Sequence, residues 1–263
     1  MVAKPSQANP SSAKDTRFAF TISFSGGSKG GVGKSFFCRA LYEYHKARRL
    51  PVVGFEANIR TPDFADIYTE IKAADNVIHF SEDENQATEP NILLNTAVRQ
   101  QTNVVVNLPA SIEPAFQVWL DTVPVLKIAQ QKQIRLLNWF LCSGEYDSNE
   151  ALKASLKQFG AMIPHVVVKN LKFRDWSLFD EDAELHQLVK QYGCKTMVFP
   201  SLNVKIAGHV LKKRLTYTAA LTYTDDKFDF TEQSAIESFL NDTYAELDRT
   251  GLFTHALTQR SAV

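Results

Sequence analysis

With 263 residues, 44% of them hydrophobic, the chain has material for one large α/β domain and its core. Its 29 basic residues balance 29 acidic ones, which argues against a protein that coats nucleic acid by bulk charge while leaving room for a local basic patch. No apolar run is long enough to span a bilayer and the first residues are polar, so the expectation is a cytoplasmic protein whose thiols, Cys38, Cys142 and Cys194, stay reduced.

Residues 1–16, rich in Ser, Pro and Ala, predict a flexible tail, leaving 17–263 as a single domain. From Arg17 onward short β-rich runs alternate with longer helical segments. Strands are predicted at Phe18–Phe24, Val52–Glu56, Asn76–Phe80, Val104–Asn107, Arg135–Cys142, His165–Lys169 and Lys195–Phe199. Helices are predicted near 34–48, 110–131, 149–159, 181–192, 203–213 and 231–249; in the last of these Ile236, Phe239, Leu240, Tyr244 and Leu247 fall on one face. The alternation predicts an α/β fold with a mostly parallel central sheet and helices on both faces, its ligand site at the carboxyl edge of the strands.

The first strand runs into Ser28-Lys29-Gly30-Gly31-Val32-Gly33-Lys34-Ser35-Phe36, with a helix starting near Lys34. Gly30, Gly31 and Gly33 lack a Cβ, so the backbone can curl and aim its N–H groups at phosphate oxygens. The helix N-terminus adds unpaired amides and the positive end of its dipole. Lys34 supplies a full charge for the β- and γ-phosphates, and Ser35 offers a hydroxyl to magnesium (Mg2+). Strand, glycine turn and helix in this order predict a P-loop for ATP. Ser28 stands where the general pattern G-x-x-x-x-G-K-[ST] has its first glycine.

Lys29-Gly30-Gly31-Val32-Gly33-Lys34-Ser35 resembles the deviant Walker A motif K-G-G-V-G-K-[ST] of the ParA/MinD family of P-loop ATPases. The resemblance implies a P-loop NTPase fold, ATP with Mg2+, and a homodimer in which Lys29 reaches the partner's bound phosphates. Two departures stand out. After the second strand the family carries D-x-D; this chain has Glu56 at the first position, a metal and catalytic candidate, and Asn58 at the second, with Asp63 following. At the end of the Walker B-type strand, Asn107 replaces the expected aspartate, before Leu108-Pro109-Ala110. Amides replace carboxylates at both places, which spares phosphate binding more than hydrolysis and predicts a slow ATPase. The run from Val105 to Ala110 is similar to that of the plasmid StbB/MobD-like branch.

By the same resemblance, Asn170, ending the His165–Lys169 strand, reads the adenine edge with its amide, and Pro200 stands beside the nucleotide. Family members bind DNA nonspecifically through C-terminal basic residues, here Lys205, Lys212, Lys213 and Arg214; a solvated helix face is the alternative reading. A protein adaptor or activator is implied as well. The C-terminal end has too little basic charge to predict a membrane-binding helix.

Overall fold

The computed structural model describes residues 18–27 and 30–253. The proposed tail at 1–16, together with Ser28 and Lys29, lies outside the described residues. Six strands, β1 (Phe20–Gly26), β2 (Val52–Glu56), β3 (Asn103–Asn107), β4 (Ile134–Cys142), β5 (His165–Asn170) and β6 (Lys195–Phe199), form one sheet in the order β2-β3-β1-β4-β5-β6. Every pairing is parallel. Parallel strands need crossovers, and these place helices on both faces, as the alternating sequence pattern predicts.

One face is covered by α1 (Lys34–Ala47), α2 (Asp63–Ile67), α3 (Thr69–Ala73), and, later in the chain, α10 (Val204–Lys212), α11 (Tyr217–Ala220) and α12 (Phe230–Arg249). Phe37, Cys38 and Leu41 of α1 pack there with Val105, Leu137, Trp139 and Leu141 of the sheet. The other face is covered by α4 (Asn91–Arg99), α5 (Glu113–Thr122), α6 (Val125–Gln131), α7 (Tyr146–Phe159), α8 (Ser177–Asp180) and α9 (Ala183–Gln191), over Ile22, Phe24, Phe55, Val104, Val106, Phe140 and Val167. Strand residues therefore alternate between two cores, as side chains of period two must.

That alternation fixes the site. Val105 faces α1, so Asn107, two residues on, faces it too. Gly54 faces α2 and α3, where an added Cβ would meet Phe64 and Ile71 at 2.8 Å, and Glu56 follows on the same side. Register then pairs Ser25 with Asn107 and Asn107 with Glu56. Three polar residues thus form a row at the carboxyl ends of β1, β3 and β2, beneath the start of α1.

Two expectations need correction. Asn76–Phe80 is not a strand: only Val77 bridges to Glu56. The chain leaves the sheet edge by His79, whose N–H donates to Glu89 Oε1 at 2.8 Å instead of continuing a ladder. The helix read across 110–131 is two helices, because Pro124 forces the preceding Val123 into an extended conformation (φ −119°, ψ 137°) that ends α5. The α4 helix and the short α2, α3, α8 and α11 were not foreseen; only α4 among them exceeds five residues. In α12 the buried side chains Ile236, Phe239, Leu240 and Leu247 lie on the face that the sequence pattern predicts.

Two buried histidines make stability depend on pH. His45 and His165 are both pulled down to about 4 by burial. His165 Nδ1 lies 2.8 Å from the carbonyl oxygen of Ile163, and its Nε2 lies 2.9 Å from Ser155 Oγ and 3.1 Å from Asn138 Nδ2. With folded pKa values below the ordinary histidine value near 6.5, the unfolded chain binds the extra protons, so these histidines cost stability as pH falls from 6.5 toward 4. Denaturant midpoints of the wild type are expected to drop over that interval. Those of His165→Gln, whatever their value at pH 7, are expected to drop less steeply; equal slopes would show that His165 does not carry the effect.

Candidate functional site

Between β1 and α1 the chain turns through Gly31 (φ 79°) and Gly33 (φ 101°), values that L side chains rarely adopt. Gly33 is also held close: a Cβ there would meet Asn170 Nδ2 at 2.6 Å. Among the described residues nothing lies within 4 Å of a Cβ added at Gly30 or Gly31. Ser25 Oγ donates to the carbonyl oxygen of Lys34 at 2.9 Å, tying the end of β1 to the first turn of α1. The loop borders a cleft of about 1160 Å³ whose lining includes Lys34, Ser35, Phe36, Arg39, Asn58, Asp63, Asn170 and Pro200. A cleft of that size at the carboxyl edge of a parallel sheet is where this architecture binds ligands.

Lys34 is only 8% exposed. Burial pulls its ammonium down to about 8, while the negative charge of Glu113 acts in the opposite direction. A group arriving with negative charge would hold this lysine protonated.

Glu56 is fully buried at the far end of the polar row. Its Oε1 accepts from Asn58 N at 2.8 Å and from Asn107 Nδ2 at 2.8 Å. Its Oε2 accepts from Phe64 N at 3.0 Å and Ala65 N at 3.3 Å. One carboxylate therefore holds the loop after β2 and the first turn of α2. Burial pushes this carboxyl up to about 7, opposed by the four N–H donors.

Asn107 links the two halves of the site. Besides Glu56, its Nδ2 lies 3.2 Å from Ser35 Oγ, and its Oδ1 is buried without a partner. Flipping the amide would set that oxygen against the Glu56 carboxylate, so Glu56 dictates its orientation. The donor set fits a hydrated cation at Ser35: a serine hydroxyl stands beside a buried, unpartnered amide oxygen that can accept from a metal-bound water. Glu56, by contrast, is committed to four N–H groups in this arrangement; like Asn107, it lies outside the cleft lining.

The remaining candidates divide. Asn58 is held by Thr61, its Nδ2 donating to Oγ1 at 2.7 Å, and Asp63 lines the cleft at the start of α2. Asn170 is 3% exposed; its Nδ2 donates to the carbonyl oxygen of Val32 at 2.9 Å and its Oδ1 accepts from Lys172 N at 3.0 Å. It thereby braces the loop from β5. Val32 is buried in the core, whereas Phe36 packs against Phe199, Tyr217 and Phe239. Lys205, Lys212, Lys213 and Arg214 are exposed on and just after α10, apart from the loop, and Lys213 is paired with Asp225 at 3.0 Å. Arg39, in the cleft wall, escaped the sequence reading, although its place one helical turn after Ser35 was visible there.

No protein-family model matches the chain. Over 205 residues, covering 77% of this chain and 87% of the relative, it is 25% identical to Protein MobD of Acidithiobacillus ferrooxidans. The fold is similar to that of a chain in the MinC:MinD cell division protein complex of Aquifex aeolicus, with a TM-score of 0.51 and 14% identity, covering 88% of this chain and 96% of that one. The likeness is one of fold. No helix among its described residues is long and apolar enough to cross a membrane.

The amide at residue 107 answers the carboxylate of Glu56. A carboxylate at 107 would stand about as close to Glu56 as the present amide and would meet it charge against charge. Asn107→Asp alone is therefore expected to destabilise the fold by about 2–4 kcal/mol, the scale of a broken buried charge contact. The double variant Glu56→Gln/Asn107→Asp, which restores a donor–acceptor pair between the two but sets an amide nitrogen against Asn58 N–H, is expected to recover only part of that loss in thermal melts. An undisturbed melting temperature in the single variant would mean that the two groups do not oppose each other.

Proposed function

We propose that this chain is an ATP-dependent, dimerising switch ATPase of the ParA/MinD type, with slow hydrolysis, acting on plasmid DNA or its mobilisation machinery. The observation that carries the reading is the glycine turn from β1 into α1, which brings the buried Lys34 and the Ser35 hydroxyl to one end of a large cleft. The loop amides and Lys34 take the phosphates, and Ser35 with Asn107 addresses the magnesium that travels with them. Bound magnesium would supply charge neutralisation at the phosphates. Asn170 keeps the loop in its binding shape through Val32 and leaves a second amide hydrogen for the base.

Slow turnover follows from the two amides. Asn58 brings no negative charge to the mouth of the cleft, and Asn107 is a donor to Glu56 rather than a second carboxylate. Water activation then falls to Asp63, which lines the cleft, and to the phosphates themselves. Lys29 completes the site across a dimer, so ATP stabilises the closed pair, which is what makes a switch. The closed pair binds DNA phosphates through Lys205, Lys212 and Arg214, with an adaptor protein stimulating release. Lys213 contributes less, because Asp225 already neutralises it.

A second reading, a scaffold that binds ATP without hydrolysing it, draws on the same amides, and phosphate release measured with and without DNA separates the two. Sedimentation with ADP, ATP and a nonhydrolysable ATP analogue, each with magnesium, tests the switch itself. A dimer is expected with the triphosphates only. Lys34→Ala is expected to lose nucleotide binding, and Lys29→Ala to retain binding as a monomer while losing the dimer. An unchanged mass with nucleotide demonstrably bound would exclude the sandwich dimer.

A further inference from the structure

Arg39 lies on α1, one turn beyond Ser35, and is 4% exposed although it lines the cleft. Its Nε donates to the carbonyl oxygen of Ser35 at 3.3 Å. Its guanidinium lies over two rings, 5.3 Å from the centroid of Phe36 and 5.3 Å from that of Tyr217. Nη1 is buried with no hydrogen-bond partner. Among the described residues no carboxylate lies within ion-pair distance of it. Glu43, one turn farther along α1, is spoken for: it accepts from Tyr68 Oη at 2.9 Å, Thr218 N at 3.3 Å and Thr218 Oγ1 at 2.7 Å.

Sequestering a guanidinium with an N–H left unpaired is costly, and two aromatic faces offset only part of that cost. A planar fork of N–H donors suits phosphate oxygens. Arg39 shares the cleft wall with Lys34 and Ser35, and it stands over Phe36, whose ring lies 5.9 Å from Phe199, the residue before the cleft-lining Pro200.

We propose that Arg39 is a phosphate-binding residue of the nucleotide cleft, its unpartnered Nη1 taking an oxygen of a bound phosphate. The inference rests on the nucleotide reading above. Arg39 acts by binding and neutralising charge and takes no part in bond making.

Binding and stability are expected to move in opposite directions when Arg39 is replaced. Without nucleotide, Arg39→Met is expected to melt at the same temperature as the wild type or higher, since a buried donor without an acceptor is gone. In titration calorimetry its affinity for ADP is expected to fall at least about tenfold, with Arg39→Lys falling between the two. A lower melting temperature with unaltered ADP affinity would overturn the proposal and leave Arg39 as a prop between Phe36 and Tyr217. If the wild type binds no nucleotide at all, the nucleotide reading fails separately, and inorganic phosphate becomes the probe. Thermal stabilisation of the wild type by phosphate, absent in Arg39→Met, would then preserve Arg39 as a phosphate site, and equal responses would remove it.

Discussion

The site hangs on the in-register ends of three parallel strands. Ser25, Asn107 and Glu56 sit side by side because β1 pairs with β3 and β3 with β2 in a register that leaves no offset at their carboxyl ends. A slip of one residue in β3 would turn Asn107 to the opposite core and bring Val106 or Leu108 under α1. The three central valines are interchangeable in such a slip, so the ends of the strand pin it: Asn103 Oδ1 accepts from Thr21 N at 3.0 Å and its Nδ2 donates to the carbonyl oxygen of Pro51 at 3.1 Å, while Asn107 Nδ2 meets Glu56. Polar bonds at both ends of an apolar strand thus hold a row of polar groups at the one edge where a helix N-terminus arrives.

Along that row the chemistry is shared by few atoms. Asn107 Nδ2 touches both Ser35 and Glu56, and Glu56 in turn holds Asn58, Phe64 and Ala65 through their backbone N–H groups. The glycine loop is thus connected to α2 through two side chains.

The exchange of carboxylate for amide at 107 gains a structural reason in this setting. Glutamate at 56 carries its charge one methylene farther from the backbone than aspartate would, and it meets residue 107 directly. An amide answers it with a donor. Read along the sequence alone, Asn107 is a lost charge; seen in the fold, it is the partner that a buried Glu56 needs.

The sequence by itself determined the glycine turn between the first strand and the first helix, five of the six strands to within a residue at each end, the sixth displaced by two, and the covered parallel sheet. These depend on local signals: glycine where the backbone must curl, runs of Val, Phe and Ile for strands buried on both faces, and helical periodicity in between. It marked Asn170 as a reader of the base but gave no sign of its bond to Val32, which spans 138 positions in the chain. Only the tertiary structure decided that Asn107 points its donor at Glu56, that Glu56 lies sealed beneath the cleft, that the segment after α3 makes a single bridge at Val77 to the sheet edge, and that Arg39 keeps an unpartnered Nη1 in the cleft wall. Each of these depends on which strands are neighbours and in what register, and on which side chains from distant segments occupy the same space. Spacing along one chain cannot encode that, because the same residues in another register would meet different partners.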